Sequence, residues 1–178
     1  MNLQKKIFLI LSLLIFITAC GNGTSSAQGS PPLEKISNEA KVFTIEDFKN
    51  VGFKVNKEYD VSELESSTGA WYGFWKNDLG KALDFEIRIY PSQQLILNNG
   101  LRYADEVIGD GAILKKSLSS WKEGIKERRI IKGKLGGNTA RAKYLDYVVY
   151  GNAIILCTGL DLTYARQNCS DLANSLDN

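Results

Sequence analysis

Histidine occurs nowhere in the 178 residues. That absence excludes Ser-His-Asp and Cys-His catalysis, His-ligated zinc and imidazole proton shuttles. Cysteine is scarce, with Cys20, Cys157 and Cys169 the whole complement, and two or three thiols without histidine make a poor zinc site. Phosphate-binding glycine loops are missing: "GDGAILKK", residues 109–116, has neither the spacing nor the hydroxyl residue of a P-loop. "YADEVIGDG" gathers Asp105, Glu106 and Asp110 without calcium-loop spacing, and reads as the acidic end of a helix and its turn. A charge imbalance is lacking too. Of 22 basic and 20 acidic residues, the first 19 positions hold two basic and no acidic ones, so the remaining 159 carry 20 of each. Net charge therefore gives no reason to expect nucleic acid as a partner, and neither a metal nor a cofactor is expected.

What is present starts at the amino terminus. Lys5 and Lys6 precede an apolar run over 7–19, interrupted only by Ser12 and Thr18. As a helix it would reach roughly 20 Å, short of the ~30 Å of hydrocarbon that a spanning segment crosses. The pattern is that of an export signal. Ile17, Thr18, Ala19 and Cys20, followed by Gly21, resemble the lipobox of bacterial lipoproteins, with an apolar residue at −3, small residues at −2 and −1 and cysteine at +1. The resemblance implies cleavage before Cys20, lipidation of its thiol and anchoring in the cell membrane or outer membrane, with the domain outside the cytoplasm. Two or more acyl chains give a stable anchor where one gives a marginal one. The other reading is a signal cut near Ala19 or Cys20 that releases a soluble secreted protein.

"GNGTSSAQGSPPLEKISNEA" then has almost nothing to bury and reads as a tether with a mean reach of about 25 Å. The expected organisation is a signal over 1–19, the lipidated cysteine and tether over 20–40, and a single domain over 41–178. Lipidation of Cys20 leaves Cys157 and Cys169 as an even pair in an oxidising compartment. A disulfide between them closes a short loop, stabilising by about 3 kcal/mol on the chain-entropy model.

Within the domain, Phe43, Thr44, Asp47 and Phe48 have the positions of a staple, N-cap, N3 and N4 at a helix start that ends near Gly52. "FKVNKEY" reads as a short strand. "AWYGFWK" and "ALDFEIRIY" flank "NDLG" as paired strands. In the second, Leu83, Phe85, Ile87 and Ile89 alternate with Asp84, Glu86, Arg88 and Tyr90, the pattern of a half-buried strand whose charged face meets solvent. A helix follows Ser92, with Leu97, Leu101, Ala104 and Ile108 on one stripe and Ile96, Gly100, Tyr103 and Val107 on the next. Residues 110–137 read as a broken helix and an irregular basic loop.

"AKYLDYVVY", Gly151, Asn152 and "AIILCTG" form a hairpin with a two-residue turn, which sets Val149 opposite Ile154, Tyr147 opposite Leu156 and Asp146 opposite Cys157. Leu162, Ala165, Cys169, Leu172 and Leu176 stripe a terminal helix that the disulfide pins to the hairpin. The fold expected is α+β, an antiparallel sheet covered by helices. In outline it resembles small exported α/β sandwich domains of the photosystem-accessory PsbP type and some actinobacterial lipoproteins. That resemblance implies adaptor or binding roles.

For binding, "WYGFW" places Trp71 and Trp75 on one strand face and Tyr72 and Phe74 on the other, so one pair either finds a second covering layer and joins the core or stays exposed, and the binding reading expects an exposed aromatic platform at Trp71 and Trp75. Trp121, Arg128 and Arg129 on the basic segment are further candidates, for an acidic partner or anionic lipid headgroups. The function expected is a membrane-anchored, non-enzymatic binding module for a protein or carbohydrate. The alternative is an envelope hydrolase working through a carboxylate pair such as Asp84 with Glu86.

Overall fold

The computed structural model describes residues 32–132 and 139–177. Cys20, the signal and the first part of the tether lie outside the described residues.

Six strands form one sheet in the order β1-β7-β8-β4-β3-β2: β1 (Ile36–Ser37), β2 (Lys54–Tyr59), β3 (Gly69–Lys76), β4 (Ala82–Ile89), β7 (Tyr144–Tyr150) and β8 (Ala153–Thr158). Every pairing is antiparallel except that of β1 with β7. A separate ribbon pairs β5 (Arg129–Lys132) with β6 (Thr139–Ala142). The helices are α1 (Ile45–Asn50), α2 over residues 93–105, and α3 (Leu162–Ser175). This is the α+β architecture expected from the sequence.

Local chemistry accounts for most elements. Asp47 Oδ2 accepts from the Thr44 N–H at 2.7 Å, satisfying a donor at the start of α1, and the Phe43 and Phe48 rings meet edge-on at 6.1 Å. Gly52 follows α1 with φ +94, a conformation that favours glycine. The β7–β8 hairpin has the expected register. Gly151 alone of its turn pair takes positive φ. Asn152 is instead buried, accepting from Phe43 N–H at 2.6 Å and donating to the Tyr90 carbonyl at 2.7 Å, so it ties the hairpin to the ends of β4 and the α1 approach. Cys157 and Cys169 are joined by a disulfide that staples α3 to β8, with Cα atoms 5.4 Å apart.

The fold begins earlier than composition suggests. Residues 35–37, expected in the tether, lie along β7: Val149 N–H donates to Lys35 O at 2.7 Å and Gly151 N–H to Ser37 O at 3.1 Å. A strand held by backbone bonds needs no hydrophobic signature, which is why a polar sequence conceals it. Residues 110–128 contain turns and no helix, and the ribbon β5–β6 stands where an irregular loop was expected.

Both faces of the sheet are covered. On one, α1 and α3 pack Phe48, Ala165, Cys169 and Leu172 against Trp75, Phe85, Ile87 and Ile155. On the other, α2 and the turn after it pack Ile96, Ala104 and Val107 against Tyr147, Val149, Ile154 and Leu156. A π-helical turn, Ile96–Gly100, interrupts α2. There Gly100 faces Tyr90: a Cβ would lie 2.9 Å from the Tyr90 hydroxyl, so glycine is what lets the helix close on that ring.

Candidate functional site

The strand β4 sends Glu86 and Arg88 to the α2 side, where both are fully buried. This corrects the expectation that the face shared by Asp84 and Glu86 is solvated: a second layer, residues 106–128, closes over it. Ile113 N–H bonds Glu106 O at 2.8 Å and Ser120 N–H bonds Glu106 Oε1 at 2.7 Å. Trp121 Nε1–H donates to Asp60 O at 3.1 Å, and Lys143 N–H donates to Arg128 O at 2.8 Å. These bonds hold Trp121 and Arg128 over the sheet.

Glu86 is shared by two guanidinium groups. Its Oε1 accepts from Arg88 Nε at 2.8 Å and its Oε2 from Arg128 Nε at 2.7 Å. The indole of Trp121 lies against both cations, 5.0 Å from Arg88 Cζ and 4.3 Å from Arg128 Cζ, within cation–π range. Tyr59 meets Trp121 edge-on at 5.6 Å and lies 5.8 Å from Arg128 Cζ. Burial pushes the Glu86 carboxyl up, but Arg128 and Arg88 outweigh it and hold the group below its ordinary value. Burial also raises the Tyr59 and Tyr144 hydroxyls, with the Glu86 carboxylate adding to the effect, and carries Tyr90 to about 12. Arginine remains charged even when burial lowers its pKa, as it does for Arg88. The layer thus carries two positive charges and one negative. Just outside it, Asp84 pairs with Lys143 at 2.6 Å and Glu127 with Lys57 at 3.4 Å, so neither neighbour offsets the surplus.

Seven polar atoms of this layer have no hydrogen-bond partner in the protein: Nη1 and Nη2 of Arg88 and of Arg128, and the hydroxyls of Tyr59, Tyr90 and Tyr144. Such groups each cost about 1–3 kcal/mol when left unsatisfied.

Above the layer is a cleft of about 230 Å³ whose cations are Lys57, Lys116, Lys122, Lys126 and Arg129, with Glu123 and Glu127 as its acids. Gly124 separates cleft from layer. Its φ is +70, and a Cβ there would sit 2.8 Å from Arg128 Nη2 and 2.9 Å from Tyr59 Cζ, so only glycine lets the loop lie this close to the guanidinium. A second cleft of about 260 Å³ shares Lys116, Lys122 and Glu123 and is lined also by Asp60, Glu63 and Trp121.

The aromatic platform expected at Trp71 and Trp75 is not formed. Trp75 is 6 % exposed and donates from Nε1 to Val51 O at 2.9 Å, while Trp71 is half-buried against the same apolar core. Alternation separates the aromatics as expected, but α1 and the residues after it cover the indole face. Trp121 is 1 % exposed and Arg128 fully buried, so both contribute from beneath the surface. Arg129 lines the basic cleft and also an apolar groove with Ile113, Leu114 and Leu118. Sequence reasoning missed the inward roles of Glu86, Arg88, Tyr59, Tyr90 and Tyr144. Among the described residues no group of three or more His, Cys, Asp or Glu is placed to hold a metal ion, and no helix is long and apolar enough to cross a membrane.

Fold and site together define an α+β domain with an aromatic-capped Arg–Glu–Arg cluster buried beneath a basic cleft. The chain belongs to a family of unknown function, DUF6810, whose model matches residues 44–178. No curated protein and no solved structure matches it.

Proposed function

We propose that this chain is a lipid-anchored cell-envelope protein whose domain is a non-enzymatic binding module for an acidic ligand. The observation that carries the binding half is the basic cleft, whose five cations outnumber its two carboxylates and Glu63, the partner of Lys122 at 3.4 Å, seated on a layer whose own charge is positive. Positive potential in a concave site raises the local concentration of anionic ligands and steers them in. A carboxylate hydrolase needs an acid with a raised pKa, whereas Asp47, Asp60, Glu86, Asp146 and Asp177 are all shifted downward. What supports the anchor is the lipobox-like sequence ending at Cys20 and the polar stretch after it.

Binding is tested by isothermal titration of the full-length protein in detergent with a short poly-glutamate peptide and with an acidic oligosaccharide. Reversing two cleft charges, Lys122→Glu with Lys126→Glu, is expected to weaken binding at least about tenfold at low salt. Equal affinity of the variant and the parent protein contradicts the reading. For the anchor, Cys20→Ala is expected to leave the membrane fraction, and a variant that stays there with unchanged mass contradicts lipidation.

A further inference from the structure

We propose that the buried layer beneath the cleft is a receptor for one oxyanion group, a carboxylate or a phosphate, held by the free guanidinium edges of Arg88 and Arg128 with tyrosine hydroxyls as further donors. The inference deepens the binding reading and rests on it, but it concerns atoms that the basic cleft does not contain.

Three features converge on this assignment. The first is geometry. Glu86 takes the Nε–H of each arginine, so the edge left on each guanidinium is the Nη1–Nη2 pair, the edge that grips a carboxylate or phosphate through two parallel hydrogen bonds. The second is donor stoichiometry. Each of the four Nη atoms carries two N–H groups, and the hydroxyls of Tyr59, Tyr90 and Tyr144 are unpartnered as well. The only carboxylate in the layer is Glu86, whose two oxygens already accept from the Nε atoms, so acceptors are what the site is short of. The third is charge. Arg88 and Arg128 against Glu86 leave one surplus positive charge among side chains that are no more than 4 % exposed. Water can fill hydrogen-bonding capacity but leaves that charge unpaired in a medium of low dielectric, where an unpaired ion is costly. An oxyanion supplies both the acceptors and the charge.

Two clefts adjoin the layer. Trp121, stacked on both cations, lines the second cleft, and Gly124, packed on Arg128, lines the basic one. Displacement of the turn between them would expose the guanidinium edges to either cleft.

The test is thermal denaturation of the full-length protein in detergent, in sodium chloride, acetate or phosphate at matched ionic strength. The expected result is a saturating rise in Tm with acetate, with phosphate or with both, relative to chloride, following the logarithmic law for a ligand that binds only the folded state. A response to acetate alone assigns a carboxylate ligand, and one to phosphate alone a phosphate. Tyr90→Phe and Tyr144→Phe keep the ring and remove one hydroxyl, and at least one of them is expected to weaken the apparent affinity about tenfold. Lys122→Glu with Lys126→Glu is expected to keep the Tm response even if it loses the acidic probes of the cleft, which separates this inference from the reading above. A non-saturating rise, which is the general salting-out effect, overturns the proposal. So does a response unchanged in both tyrosine variants, or one abolished by the cleft variant.

Discussion

The two faces of one sheet are closed in opposite ways, and β4 belongs to both. Toward α1 and α3 it presents Leu83, Phe85, Ile87 and Ile89, which join an apolar cluster sealed by a disulfide. Toward α2 it presents Glu86 and Arg88, buried as completely but among charges and aromatic rings. Apolar side chains contribute about 1.5–3 kcal/mol each on full burial, whatever their exact partners. A buried ion cluster has no such tolerance, because each charge depends on its neighbour. The apolar face therefore tolerates a change of partner, and the polar face does not.

Removing one member of the polar layer should have the largest effect. Glu86→Ala leaves two guanidinium groups unpaired and is expected to lower stability by about 3–5 kcal/mol in urea denaturation. On the apolar face, Cys157→Ser with Cys169→Ser, or reduction of the disulfide, is expected to cost about 3 kcal/mol, read from the same transition. Trp121→Leu keeps an apolar cover but removes the cation–π contacts, which should cost about 2 kcal/mol from that loss alone. If Trp121→Leu costs nothing, the aromatic cap is not what stabilises the cations.

The pH dependence should distinguish the faces as well. Glu86 has a folded pKa below its ordinary 4.5, so its contribution is complete above that pH and is lost as pH falls through the folded value. Tyr90 has a folded pKa raised from 10.0 to about 12, so its contribution is complete below pH 10 and is lost as pH rises toward 12. Absorbance at the tyrosinate band should therefore show Tyr59, Tyr90 and Tyr144 ionising together with unfolding. The smallest effect is expected at the edge of the apolar side, where Asp47→Ala removes the acceptor of the Thr44 N–H and should cost about 1 kcal/mol.

The sequence discloses each element that rests on local chemistry. The α1 start follows from Thr44 and Asp47, the hairpin register from Gly151 with alternating residues on either side, and the disulfide from the pairing of Cys157 with Cys169, the two cysteines that lie within the domain. The polar layer was hidden for a physical reason. Alternation in β4 says that Glu86 and Phe85 point to opposite sides, but says nothing about whether the Glu86 side meets water. The clue was present one level up. Two amphipathic helices, near 93–105 and 162–175, flank a single sheet, and each needs a face to cover, so neither sheet face could stay open. Residues 106–128 lacked periodicity because they cover the sheet through turns anchored at single points, Trp121, Gly124 and Arg128, and not through a repeating stripe. Strand β1 was silent because backbone bonds to β7, the Gln93 amide on Ser37 O and the Lys35–Asp146 ion pair hold it, none of which needs a hydrophobic pattern.

The central claim is that the polar face is an anion receptor and not merely a second core. A crystal structure of the full-length protein grown with acetate and, separately, with phosphate, at a resolution that distinguishes an oxyanion from water, tests it most directly. The expected result is one oxyanion within hydrogen-bond distance of Nη atoms of both Arg88 and Arg128. A layer in which ordered waters alone satisfy those four nitrogens, in both crystals, would contradict the account.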